Sequence, residues 1–137
     1  MNGIEWIVDA HGCAPEILRS LPALQGLFQQ IIADLHLRPV GDSTWHQFPN
    51  TGGITGLCLL AESHLACHTF PEFGTVALNL FCCIPREEWD FESFLKANFA
   101  ATSVSVRRFT RSYVPEQIDR PDFTVPSPIA GVEKQSE

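Results

Sequence analysis

Positive charge is scarce in this chain. Of 137 residues only 9 are Lys or Arg, against 16 Asp or Glu, for a net charge of −7. A surface of that sign repels a phosphate backbone, so no nucleic acid partner is predicted, and a small cationic substrate suits it better. Long apolar runs are also missing. Leu57-Cys58-Leu59-Leu60-Ala61 is far too short to span a bilayer, which predicts no membrane partner. The opening Met1-Asn2-Gly3-Ile4-Glu5 carries neither the basic segment nor the apolar core of a secretory signal. Five cysteines is an odd number, and without a secretory context they read as reduced thiols of a cytoplasmic protein. With 45% hydrophobic and 18% charged residues, the composition excludes a disordered chain and fits one domain with a core of its own.

Periodicity then orders the chain. Ile4 to Val8 is apolar and β-branched, as a strand requires. Leu24, Leu27, Phe28, Ile31, Ile32 and Leu35 recur at helical spacing, which predicts a helix from Pro22 to Leu37 after a short turn at Glu16–Arg19. Thr44 to Phe48, Ile54 to Leu60, Ser63 to Phe70, Thr75 to Cys83 and Ser103 to Phe109 read as further strands, with a loop at Pro49–Gly53. Asp90 caps a helix that buries Phe91, Phe94, Leu95 and Phe99. The pattern is α+β: a largely antiparallel sheet with helices on one face, in a single domain over residues 1–114. Prolines and acids dominate residues 115–137, and no periodicity survives in that tail.

Chemistry concentrates in Glu62-Ser63-His64-Leu65-Ala66-Cys67-His68-Thr69-Phe70-Pro71-Glu72-Phe73-Gly74, extended to Cys82-Cys83. A serine next to a strained carbonyl can cleave its own chain. Ser63 Oγ attacks the Glu62 carbonyl and the amide becomes an ester. A base then removes the Ser63 Cα proton, and elimination frees the Glu62 carboxylate. Hydrolysis of the remaining dehydroalanine releases ammonia and leaves a pyruvoyl group, an electron sink for decarboxylating an amine substrate. The step needs a hydroxyl for the oxyanion and a base. His68 is the candidate base and Thr55, on the preceding strand, the candidate hydroxyl; His64 shares the face of His68.

Cys82 and Cys83 are adjacent, so in a strand they face opposite ways and only one can join a site. Cys13, Cys58 and Cys67 read as small core residues. A zinc set of His64, Cys67, His68, Cys82 and Cys83 is disfavoured, because alternation puts Cys67 opposite both histidines and no C-x-x-C knuckle is present; no metal is predicted. Phe48, Phe70 and Phe73 either pack the core or offer a stacking slot for a base or cation.

At these residues the chain resembles the prokaryotic S-adenosylmethionine decarboxylases, whose run is close to E-S-H-x-x-x-H-T-W-P-E-x-G-x-x-x-x-D-x-F-T-C-G. Here it reads Glu62-Ser63-His64, His68-Thr69-Phe70-Pro71-Glu72, Gly74 and Asn79-Leu80-Phe81-Cys82-Cys83. The resemblance implies a self-processing proenzyme of spermidine synthesis, cut between residues 62 and 63, with a pyruvoyl group at Ser63. It implies processing by His68 and Thr55, proton donation by Cys83, aromatic contacts from Phe48 and Phe70, and a substrate carboxylate at Glu72. It also implies a two-layer α/β sandwich that forms a homodimer through its sheets and builds each site between two protomers. Phe70 replaces tryptophan, Asn79 aspartate and Ile84 glycine, and these departures lie where substrate would be read. Arginine or ornithine decarboxylation on the same scaffold is therefore a rival reading. A non-catalytic dimeric binding module is the other.

Overall fold

A computed structural model describes residues 2–115 of the chain. Six strands form one sheet, and each neighbouring pair is antiparallel. In chain order they are β1 (Asn2–His11), β2 (Thr44–Gln47), β3 (Ile54–Leu60), β4 (Ser63–Phe70), β5 (Thr75–Cys82) and β6 (Ser103–Ser112). Across the sheet the order is β2-β3-β4-β5-β1-β6. The helices are α1 (Pro15–Leu18), α2 (Leu21–Asp34) and α3 (Phe91–Phe99), with a 3-10 turn at Pro71–Phe73. The α+β expectation holds. The tail expected over residues 115–137 lies, from residue 116 on, outside the described residues.

Alternation along the strands divides the sheet into two unlike faces. Ile4, Trp6, Val8 and Ala10 of β1, Leu65 and Cys67 of β4, and Val76, Leu78, Leu80 and Cys82 of β5 are buried toward the helices. Leu24, Leu27, Phe28 and Ile31 of α2 and Phe91, Leu95 and Phe99 of α3 close over them. The other face is open. It carries Leu57 and Leu59, 52% and 61% exposed, with Phe109, His64, His68 and Phe70. Among the described residues no helix is long and apolar enough to cross a membrane.

Several boundaries differ from expectation by a few residues: β1 is longer at both ends, β2 stops at Gln47 and β5 at Cys82, and three further differences have a visible cause. The Ser20 hydroxyl accepts from the Ala23 N–H at 3.3 Å and starts α2 one residue before Pro22. The helix stops at Asp34 because His36 turns at φ 53°, and the Leu37 N–H reaches back to the Ile32 carbonyl at 2.9 Å. Leu35 and Leu37 stay buried after the helix has ended, so the apolar pattern outruns it. β6 extends to Ser112 because it pairs with β1 over the whole length Asn2–His11.

Gly56 sits opposite Trp45, whose ring packs on Phe28 at 4.7 Å between centroids. A Cβ on Gly56 would lie 2.2 Å from that ring. Overpacking of this kind costs about 1–3 kcal/mol. Gly56→Ala is thus expected to lower the unfolding free energy by that amount, read by urea titration as a lower midpoint at unchanged slope.

Candidate active site

The Glu62–Ser63 bond lies at the exit of a two-residue hairpin turn. Leu60 pairs with Ser63, leaving Ala61 and Glu62 as the loop. Such turns favour residues that tolerate positive φ, usually glycine or asparagine. Neither is present, and the deviation falls on Ser63, at φ 145°. For a residue with a Cβ this region is sparsely populated and costs on the order of 1–3 kcal/mol. The scissile bond predicted from the sequence is thus next to the strained residue.

The Glu62 carbonyl accepts the Cys83 N–H at 2.7 Å. A donor in that place polarises the carbonyl and supports negative charge on its oxygen. Cys83 is half-buried, and its own carbonyl accepts from the Tyr113 hydroxyl at 3.0 Å. Cys82 is fully buried and pairs with Ser63 and Ile4. Burial pushes its thiol up to about 11, so at neutral pH it is a protonated, poorly nucleophilic group. Of the two cysteines, Cys82 ends β5 in the core and Cys83, just beyond the strand, is only partly buried.

Glu62 has a fully buried side chain. Its Oε1 accepts the Arg38 N–H at 3.0 Å, and Oε2 accepts from Arg38 Nε at 2.9 Å and from Arg86 at 3.4 Å. Burial alone would raise its carboxyl, but the Arg38 N–H and guanidinium outweigh that and hold it below the ordinary 4.5. Neither arginine was visible as a site residue in the sequence, because each stands alone in a loop.

His68 and Thr55 meet across β3 and β4, with Thr55 Oγ1 and His68 Nδ1 3.1 Å apart. The structure does not bring them to Ser63 within one chain. His68 lies five residues along β4, or about 16 Å at ordinary strand rise. Phe70 is two residues further on the same face. Phe48 follows β2 and meets His46, the residue paired with Thr55, edge to face at 4.7 Å. Glu72 is exposed in the 3-10 turn beyond Phe70. The predicted residues therefore form two groups at opposite ends of β4: Glu62, Ser63 and Cys83 at one, Thr55, His68, Phe48, Phe70 and Glu72 at the other. Of the possible zinc ligands, Cys67 is buried while His64 and His68 are exposed on the open face. A cleft of about 590 Å³ between α2 and β2, lined by Phe28, Trp45 and Asp42 among others, contains none of the predicted residues.

A relay on the open face escaped the sequence reading. Arg111 pairs with Glu5, Asn79 Nδ2 donates to Glu5 at 2.8 Å, and Asn79 Oδ1 faces His64 Nε2 at 2.6 Å. The Glu5 carboxylate can only accept, so Asn79 must present its amide nitrogen there and its oxygen to His64. His64 accordingly carries a proton on Nε2. Asn79 Nδ2 is the main reason that Glu5 is held below the ordinary carboxylate value, with Arg111 adding to it against burial.

Comparison with known proteins places this geometry in context. The family model described as S-adenosylmethionine decarboxylase matches residues 4–112. An S-adenosylmethionine decarboxylase proenzyme of Picrophilus torridus is 34% identical over 111 residues, 80% of this chain and 83% of that protein. The proenzyme of Thermoplasma acidophilum is 31% identical over 116 residues, covering 84% and 87%. Among solved structures, the adenosylmethionine decarboxylase of Aquifex aeolicus superposes with a TM-score of 0.67 at 21% identity, over 86% of this chain and 97% of that one. That likeness is one of fold, and it agrees with the sheet and helix layers described above. With a family match spanning almost all of the described residues, the chain belongs to the S-adenosylmethionine decarboxylase family.

Proposed function

We propose that this chain is a self-processing, pyruvoyl-dependent decarboxylase of polyamine biosynthesis that acts on S-adenosylmethionine. The observation that carries the reading is the state of the Glu62–Ser63 bond: Ser63 is strained at φ 145°, and the Glu62 carbonyl already receives an N–H at 2.7 Å. A serine so placed fits the origin of a pyruvoyl group. That group supplies an electron-withdrawing carbonyl that takes up the electrons released when the substrate carboxylate leaves. Cys83 returns a proton to the substrate α-carbon. In the tautomer with Nδ1 donating to Thr55, His68 Nε2 is free to accept the Ser63 Cα proton during processing. Phe48 and Phe70 offer aromatic faces to a sulfonium, a contact worth roughly 0.5–2 kcal/mol. Glu72 and the net charge of −7 favour a cation.

The separation of the two groups supports a site shared between two copies. A second chain stacked on the open face, and reversed end for end, brings its Thr55–His68 group beside Ser63 of the first. Leu57, Leu59 and Phe109 on that face give such a stack apolar area to bury. The protein is accordingly a homodimer of processed protomers.

Three measurements test these statements. Intact-mass analysis of wild type is expected to show two chains, residues 1–62 and 63–137, the second with a blocked N-terminus; Ser63→Ala stays whole. A single uncleaved wild-type chain would sink the enzyme reading in favour of a binding module. His68→Ala alone is expected to remain uncut, and to be cut when coexpressed with Ser63→Ala, which lends it an intact His68. Persistent resistance in the mixture would sink the shared site. Carbon dioxide release from S-adenosylmethionine, arginine and ornithine, each offered separately, is expected only with the first. Turnover of arginine or ornithine instead would reverse the substrate assignment and leave the processing chemistry standing.

A further inference from the structure

The chemistry proposed above uses the backbone of Glu62 and leaves its side chain without a role. Yet that carboxylate is fully buried and has three donors. They come from two separate loops. Arg38 lies beyond α2, and its carbonyl also accepts the Ala61 N–H at 2.8 Å. Arg86 lies beyond β5, and its Nε donates to the Leu35 carbonyl at 3.3 Å. Neither guanidinium forms a hydrogen bond to Ser63 or Cys83.

A strained backbone persists only where its surroundings over-determine it. On the C-terminal side of the Glu62–Ser63 bond, β4 is pinned by pairing of Ser63 with Leu60 and Cys82. On the N-terminal side there is no strand, only the two-residue turn. There the Glu62 side chain replaces sheet pairing as the anchor. Without its cations the carboxylate would turn toward water, because an unpaired buried charge is costly. That rotation would draw the Glu62 carbonyl away from the Cys83 N–H and let Ser63 relax.

We propose that Arg38 and Arg86 are positioning residues for self-cleavage: by gripping the Glu62 carboxylate they hold the Glu62–Ser63 bond in the strained, N–H-bonded geometry from which Ser63 attacks. The proposal rests on the self-processing reading. It assigns a function to two residues that hold the Glu62 side chain and form no hydrogen bond to Ser63 or Cys83.

The test follows cleavage of full-length protein with time after cell-free synthesis, by gel and mass. Wild type, Arg38→Gln, Arg86→Met and Arg86→Lys are compared. Misplacement by about an ångström is worth up to about 100-fold in rate, so a slowing of about 10-fold or more is expected for Arg86→Met and Arg38→Gln. Arg86→Lys restores a cation and is expected to recover most of the wild-type rate. Melting curves in a Ser63→Ala background separate folding from positioning. The Arg38 side chain is 71% exposed and its backbone N–H to Glu62 is kept in Arg38→Gln, so that variant is expected to fold, with a lowered melting point, and remains informative if Arg86→Met does not fold. Wild-type rates in both Arg38→Gln and Arg86→Met would overturn the clamp alone. Equal slowing by Arg86→Lys and Arg86→Met would overturn it too, since packing and not charge would then matter. An uncleaved wild type would overturn the clamp together with the processing on which it rests.

Discussion

A carboxylate cut off from water must find a donor for each oxygen, and Glu62 is the point where this fold meets that demand. Much of this end of β4 depends on how it does so. The Arg38 contact fixes the chain beyond α2 against the β3–β4 turn, and the Arg86 contact fixes the segment beyond β5 against the same turn. Cys83 is the first residue of that segment, so its N–H arrives at the Glu62 carbonyl as part of one arrangement. A tight turn without glycine, closed over a buried ion, leaves the deviation to fall on Ser63. The strained residue and the structural anchor are thus consecutive features of the same residue pair.

The sheet's two faces divide the labour. Apolar residues at alternate positions bind the helices and fix the register of all six strands, since a slip by one residue would turn the core outward. The remaining positions are free of packing duty toward the helices, and the polar residues accumulate there. His46, Thr55, His68 and Ala77 fall in one row across β2, β3, β4 and β5; Leu59, His64, Phe81 and Glu5 fall in another across β3, β4, β5 and β1. Register alone therefore joins Thr55 to His68 and keeps both away from Ser63. The proposed shared site answers that spacing with a second copy of the chain.

Strands were legible in the sequence because alternation needs no distant information, and Leu65, Cys67, Val76, Leu78 and Leu80 are buried where alternation puts them. The end of α2 was not, since Leu35 and Leu37 remain in the core after His36 has turned the chain. Glu62, Ser63 and Cys83 stood out by their company within one segment. Arg38 and Arg86 did not, because what makes them matter is a contact 24 residues away in each direction. One signal was readable and passed over: a hairpin loop of Ala61-Glu62, with no residue suited to positive φ, implies strain beside it. His64 was seen to share a face with His68, but its link to Glu5 through Asn79 spans 74 residues and has no local pattern.

Asn79 shows how a departure from the family run can be absorbed by chemistry. An aspartate there would set a second carboxylate against Glu5, and two like charges at hydrogen-bond distance cannot both ionise without cost. It would also compete with Glu5 for Arg111. The asparagine instead donates to Glu5 and accepts from His64, joining an anion and an imidazole through a neutral group. The consequence is a His64 ring with its Nε2 proton committed to Asn79, one residue from Ser63 and paired with Phe81, two before Cys83. The asparagine has thus fixed the Nε2 proton of the imidazole next to Ser63 in the chain. Its neutral side chain leaves Glu5 paired with Arg111 while holding the His64 ring by one hydrogen bond.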